Sequence, residues 1–238
     1  MQNTKFSMFR RGAADAVPVF LGYFTVAITF GVIATGKGLW SWCPIIMSMT
    51  CLSGTGQFVG IDLIASLASF AELFSAILVI NARYFLMGLS LSQKLPPEIK
   101  LWQRFIIAFG NTDENFAIAM LPEKQVTFPY FLGLMFSSWN GWVWGTVMGV
   151  FLGNVIPPSV TSAMGVALYA MYIAIIVPPA VKSKPIMTVI AVACIISCII
   201  KFVPIFSSLG GGWSVIISGV AASALGAVLF PMEVTQDD

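Results

Sequence analysis

Three short groups of polar residues interrupt an otherwise apolar sequence, and the first of them spans residues 53–57. Two glycines and three polar side chains inside an apolar segment weaken a helix and free backbone N–H and C=O groups. Interrupted helices form substrate sites in many transporters, because the N-terminus of a half-helix attracts an anionic group such as a carboxylate. Close packing through Gly56 and Gly60 is the alternative, but packing alone does not require Gln57. We therefore predict a substrate site formed by Ser53, Gly54, Thr55, Gly56 and Gln57.

The second group, Asn81 and Arg83, lies within another apolar segment. An arginine at membrane depth needs a carboxylate, a carbonyl or water as its partner. Arg83 therefore forms either an ion pair between helices or a clamp for a substrate carboxylate, and both alternatives are open. Its acidic candidates in the first half of the chain are Asp62, Glu72, Asp113 and Glu114. On a regular helix Asn81 and Arg83 point about 200° apart, so we expect both to face one cavity only if the helix is distorted.

The third group is the carboxylate pair Asp113 and Glu114, which follows Asn111 and Thr112. Adjacent carboxylates in a low dielectric repel each other and resist joint ionisation, so one of them is a candidate proton site of a coupled carrier. A cap or loop at the membrane surface is the alternative. We predict that Asn81, Arg83, Asp113 and Glu114 serve substrate binding or coupling together with the segment 53–57.

The elements that carry these residues are apolar runs of membrane-spanning length. The chain has 238 residues, of which 58% are hydrophobic and 9% charged, whereas soluble domains carry about 25% charged residues. Eight runs approach the ~20 residues that cross a bilayer: 17–35, 42–68, 70–92, 102–121, 129–153, 161–180, 185–206 and 213–231. The sequence predicts an all-α integral membrane protein, a polytopic helical bundle of six to eight spans with one or two broken or re-entrant segments.

The domain organisation follows from the same runs. Connections are short, so residues 1–238 are expected to form a single transmembrane transporter domain. The pentapeptide 18–22 reappears with one change at 129–133, and Pro44 and Ser48 are roughly echoed by Pro158 and Ser162. These matches suggest a weak internal repeat of 15–125 in 126–238, of the kind that transporters contain.

The basic residues predict the orientation. Lysine and arginine in short loops mark the cytoplasmic side, and the N-terminus, 93–104 and 182–184 are basic. Eight full crossings would place 93–104 outside, whereas six spans with re-entrant segments at 42–68 and 102–121 place all three loops inside. Both alternatives are open, and in both the N- and C-termini are expected to be cytoplasmic.

Several function classes are excluded by what the sequence lacks. A net charge of +2 with scattered basic residues does not indicate a nucleic-acid partner. The chain has no histidine and no phosphate-binding Gly-x-x-x-x-Gly-Lys-[Ser/Thr] loop, which argues against a Ser-His protease, a histidine metal site and ATP hydrolysis. The four cysteines are expected to be buried free thiols. We predict a protein that is not an enzyme and that has neither a metal site nor a cofactor.

Small residues recur every four positions from Gly133 to Gly153. This spacing lets another helix approach closely, either within the chain or from a partner subunit. We expect a partner subunit to dock on this glycine row.

The polar groups in this order and spacing resemble the AzlC family, the large subunit of branched-chain amino-acid exporters. The resemblance is carried by Phe30-Gly31, by 53–58, by 81–84 and by 112–114. It implies efflux of leucine, isoleucine, valine and related amino acids across the bacterial inner membrane, together with a small AzlD-like membrane subunit. The predicted function is an inner-membrane secondary transporter that exports small apolar amino acids, with the proton gradient as the candidate driving force. An uncoupled channel-like facilitator of small solutes and a non-catalytic membrane assembly subunit are the alternatives.

Overall fold

The computed structural model confirms the all-α class for the residues that it describes, which are 5–121, 126–153, 183–203, 211–230 and the single positions 173, 177, 180 and 181. These residues form the helices α1 (Lys5–Asp15), α2 (Val17–Gly36), α3 (Trp42–Thr50), α4 (Gly54–Ala65), α5 (Phe70–Lys94), α6 (Leu101–Phe109), α7 (Asp113–Met120), α8 (Phe128–Leu152), α9 (Lys184–Phe202) and α10 (Gly211–Leu229).

Within the described part of the chain, α2, α5 and α9 are long and apolar enough to cross a membrane. Prolines at the start of α2, α8 and α9 fit the first turn of a helix, where a missing N–H costs nothing. The predicted run 161–180 falls almost wholly outside the described residues, as do Pro158 and Ser162 of the suspected repeat. The number of spans and the repeat therefore stay predictions.

The chain divides into two compact units, 1–61 with 81–168 and 62–80 with 169–238. In the second unit α9 packs on α10, where Gly226 lies against Val189. All four cysteines are free, but the expectation that they are buried was wrong, because Cys43 and Cys51 are half-buried and Cys194 and Cys198 are exposed. The polar groups singled out above all lie in the first unit.

The glycine row of α8 is covered from within the chain. A Cβ added at Gly141 would lie 2.6 Å from the carbonyl oxygen of Phe20, and Gly149 meets Ile28 in the same way. The residue numbers of the contacting positions increase together in α2 and α8, so the two helices run parallel and their backbones are in contact. The expectation that a partner subunit docks on this row was wrong, since α1 and α2 already fill it.

Helices α3 and α4 form a hairpin rather than one crossing helix. The hydroxyl of Ser48 lies 2.7 Å from that of Thr146, and the carbonyl of the next residue accepts from Trp139 Nε1 at 3.1 Å, so α3 runs back along α8. Helix α4 then returns, and its Phe58 ring packs 5.3 Å from the ring of Phe30. Helices of 9 and 12 residues rise only about 14 and 18 Å, which is short of a hydrocarbon core of about 30 Å.

Helices α6 and α7 form a second hairpin. They contain 9 and 8 residues and are separated by residues 110–112. Lys94 Nζ, in the last turn of α5, donates to the carbonyl of Leu121 at 2.6 Å, so the hairpin ends beside the point where it begins. Leu95, Ile99 and Ala119 share one buried cluster with Met8 of α1. The start and the end of the hairpin therefore both lie at the end of the first unit that contains α1.

Candidate functional site

The interruption between α3 and α4 lies at residues 51–53, just ahead of the point expected from the sequence. Gln57 satisfies the backbone that this break exposes. Its Nε2 donates to the carbonyls of Met47 and Cys51 at 3.0 and 2.6 Å, and its Oε1 accepts from Trp142 Nε1 at 2.9 Å. Because the side chain is only 2% exposed and bonded at both amide atoms, Gln57 holds the break in shape.

Ser53 caps the start of α4 and joins it to α5. Its Oγ accepts from the N–H of Gly56 at 3.3 Å, as an N-cap does, and lies 2.6 Å from Asn81 Oδ1, to which it donates. A Cβ on Gly56 would come within 2.7 Å of this hydroxyl, and one on Gly54 within 2.9 Å of the Trp142 ring. The two glycines are thus required by close packing around the break.

The interruption between α6 and α7 is built in the same way. Thr112 is the N-cap of α7, and its hydroxyl accepts from the N–H of Asn115 at 3.3 Å. The fully buried Asn115 donates through Nδ2 to the carbonyl of Gly110 at 2.9 Å and to Ser138 Oγ at 2.8 Å. An amide side chain again binds a carbonyl that the break has freed and ties it to α8.

The adjacent carboxylates of α7 have different partners. Asp113 Oδ2 forms an ion pair with Arg83 Nη2 at 3.0 Å, and both side chains are about one-third exposed. Glu114 accepts a hydrogen bond from the hydroxyl of Tyr23. The guanidinium of Arg83 also lies 5.1 Å from the centre of the Tyr84 ring, within the range of a cation–π contact. Of the four acidic candidates named for Arg83, Asp113 is the one that it binds.

The two breaks meet at one cavity of about 180 Å³. Its wall is formed by Thr50, Cys51, Leu52, Ser53, Asn81, Tyr84, Ala108, Phe109, Asn111 and Thr112. The N-caps of α4 and α7 both lie in this wall, so the positive ends of two half-helices converge there. Asn111 is 4% exposed, and its Oδ1 has no hydrogen-bond partner in the structure.

The predicted site residues are only partly brought together. Ser53 and Asn81 line the cavity, whereas Arg83 does not, as expected for two residues about 200° apart on the continuous helix α5. The ion pair of Arg83 and Asp113 lies beside the cavity, because Arg83 directly precedes Tyr84 in the chain and Asp113 directly follows Thr112, and both of these neighbours line the wall. Glu114 is the next residue after Asp113, and Gly54, Thr55, Gly56 and Gln57 are not among the residues that line the cavity.

Comparison with known proteins decides the family. The model of the AzlC protein family matches residues 18–156, which includes both hairpins and every residue of the cavity wall. The chain belongs to the AzlC family. No solved structure matches it.

Relatives of this AzlC-family chain carry membrane-protein names. It is 30% identical over 171 residues to the inner membrane protein YgaZ of Escherichia coli, covering 69% of this chain and 70% of the relative. An uncharacterized membrane protein of Archaeoglobus fulgidus is 32% identical over 74% and 77% of the two chains. The branched-chain amino acid transport protein AzlC of Bacillus subtilis is 25% identical over 74% and 69%. The chain is accordingly a membrane protein of a transport family.

Tyr23, Tyr84 and the wall position Asn111 were not among the site residues predicted from the sequence. Tyr23 carries a hydroxyl inside an apolar run, where a phenol needs a partner. Asn111 immediately precedes the capped start of α7 and was noted only as a polar neighbour of the carboxylates. Each is a polar group in an apolar run, which is the signal that could have found them. In the described part of the chain, no group of three metal-ligating side chains occurs.

Proposed function

We propose that this AzlC-family protein is a secondary transporter that exports small apolar amino acids. The carrying observation is the 180 Å³ cavity at which the capped N-termini of α4 and α7 converge. Half-helix N-termini attract carboxylates, and hydroxyl and amide groups of Ser53, Asn81 and Thr112 offer hydrogen bonds beside them. The printed name of the Bacillus subtilis relative, a branched-chain amino acid transport protein, supports the same substrate class.

The carboxylates beside the cavity provide a means of coupling. Export against a gradient at the expense of inward proton flow requires that a proton and the substrate exclude each other. A carboxylate that holds either the substrate ammonium group or a proton does this. Asp113 and Glu114 are the candidates, because Arg83 and Tyr23 hold them next to the N-cap of α7. We propose that one of them is the proton site.

The orientation proposed from the sequence is supported by the first unit. Helix α1 and the 95–100 connection share one end of this unit, and both are basic: Lys5, Arg10 and Arg11 lie within α1, and Lys94 and Lys100 lie at the two ends of the connection. By the positive-inside rule we propose that this end is cytoplasmic, which also agrees with re-entrant hairpins at α3–α4 and α6–α7. An inner-membrane location, cytoplasmic termini and a small AzlD-like subunit are part of the same proposal, with the subunit docking away from the glycine row.

The test is efflux of preloaded amino acids from cells that express this chain with and without a small AzlD-like membrane protein. Selective loss of valine, leucine and isoleucine, abolished by a protonophore, is the expected result. The variant Asn81→Leu should reduce this efflux, whereas Asn140→Leu should not, because Asn140 bonds within α8: it donates to the carbonyl of Phe136 and accepts from Trp144 Nε1. Efflux that persists with the protonophore would favour the uncoupled facilitator. No selective efflux in any strain would leave the assembly subunit.

A further inference from the structure

A second, apolar cavity adjoins the polar one. It has a volume of about 400 Å³ and lies between α5 and α6. Its lining is mainly apolar and includes Phe85, Leu89, Leu91, Leu101, Phe105 and Ile107, with Ser92 and Arg104 as polar members. Tyr84, Ala108 and Asn111 line both cavities, so the two lie side by side at these residues. We call the 400 Å³ space the α5–α6 groove.

We propose that the α5–α6 groove receives the side chain of the transported amino acid, and that Asn111 accepts a hydrogen bond from its ammonium group. This inference rests on the proposed function. It extends the substrate class from branched-chain amino acids to the larger, aromatic phenylalanine, and it assigns Gly88 as the residue that sets the length of side chain accepted.

Asn111 carries the first part of the inference. It lies at the junction of the two cavities, is 4% exposed, and has an unpartnered carbonyl oxygen. A buried acceptor without a donor costs free energy that a bound N–H group recovers. An ammonium group is such a donor, while the substrate carboxylate is drawn to the capped helix starts in the polar cavity. A side chain leaving the same α-carbon then has the groove in front of it.

The size of the groove carries the second part. A cavity of about 150 Å³ holds a benzene ring in a well-studied protein, and the groove is more than twice as large. It therefore does not exclude a side chain longer than that of leucine. Its lining favours apolar side chains, because Ser92 and Arg104 offer a polar side chain few replacements for the hydrogen bonds to water that it would lose.

Gly88 lies where a long side chain would extend. It is four residues after Tyr84, so it is on the same face of α5 and about 6 Å further along the axis. A Cβ at Gly88 would meet nothing within 4 Å, which means that a side chain can be introduced there without a clash. Gly88→Leu should shorten the groove for phenylalanine and leave the junction open for valine.

The experiment measures amino-acid binding by purified protein as ligand-induced thermal stabilisation. Valine, leucine and phenylalanine are expected to stabilise the wild-type chain, and glutamine is not. In Gly88→Leu the phenylalanine concentration for a half-maximal shift should rise more than about tenfold, as for an obstructed apolar pocket, and that for valine should change little. Gly22→Leu is the matched control, because Gly22 is also free of neighbours within 4 Å. In Asn111→Leu binding should weaken for all three amino acids alike.

Three results would overturn the inference: wild-type stabilisation by valine but not phenylalanine, an equal loss of both in Gly88→Leu, or no stabilisation by any amino acid. Preferential loss of phenylalanine binding in that variant supports it even if cells show no efflux. In that case the transport proposal fails while the binding groove stands, so the two failures are distinguishable.

Discussion

Replacing Gln57 by leucine should destabilise the protein without removing a residue from the cavity wall. Four groups lose a partner in this variant, but the carbonyl of Met47 keeps its bond from the N–H of Cys51 at 2.9 Å, and the hydroxyl of Ser48 keeps its contact with that of Thr146 at 2.7 Å. The carbonyl of Cys51 and the Nε1–H of Trp142 are left as stranded groups. An unsatisfied buried polar group costs about 1–3 kcal/mol, so the expected loss is about 2–6 kcal/mol.

The assay is thermal unfolding of the detergent-purified chain, followed by the monodisperse fraction in size-exclusion chromatography. A domain of this size loses about 2–4 °C per kcal/mol, so the apparent melting temperature should fall by at least about 4 °C. The matched control is Gln93→Leu, the same substitution at an exposed position of α5. It should unfold within about 2 °C of the wild-type chain, since exposed substitutions rarely exceed 0.5 kcal/mol.

A double-mutant cycle separates the stranded bond from the loss of side-chain volume. Trp142→Phe alone removes the indole donor and much packing, and Gln57 Oε1 then keeps only Ser48, at 3.5 Å. The double variant Gln57→Leu with Trp142→Phe strands only the carbonyl of Cys51. Its destabilisation should therefore be smaller than the sum of the single variants by about 1–3 kcal/mol. Additive losses, or a Gln57→Leu chain as stable as the control, would refute the view that Gln57 clamps the break.

Three further outcomes are expected. Gly145→Leu should lower the yield of monodisperse protein, because a Cβ at this position would overlap the carbonyl of Phe24. The control Gly22→Leu should be purified normally, because a Cβ there meets nothing within 4 Å. Equal yields of the two variants would show that α2 and α8 are not in backbone contact. Asp113→Asn should abolish protonophore-sensitive efflux with normal membrane expression, and wild-type efflux in this variant would remove Asp113 from coupling. Exchanging the ion pair, with Arg83→Asp and Asp113→Arg together, should restore expression relative to Arg83→Asp alone, which a western blot of membranes measures.

Much of this architecture can be predicted from short segments of the sequence. Apolar runs of about 20 residues specify helices in a membrane, because every backbone group must be bonded internally there. A serine before Gly54 and a threonine before Asp113 mark the starts of α4 and α7, since these side chains accept from free N–H groups of the first turn. The family resemblance rests on the same short segments, so it too was available from the sequence.

Which polar groups meet was decided only by the tertiary structure. Gln57 was predicted to belong to a substrate site, but its hydrogen-bond partners Cys51 and Trp142, 6 and 85 residues away in the chain, could not be predicted from the sequence. The sequence left four acidic residues as candidate partners of Arg83. In the structure the α6–α7 hairpin places Asp113 Oδ2 3.0 Å from Arg83 Nη2. Helical periodicity fixes the face on which a side chain lies but not the helix that covers that face. Which helix covers a given face depends on how the short half-helices and the glycine-lined backbones pack together. These contacts join residues that are far apart in the sequence.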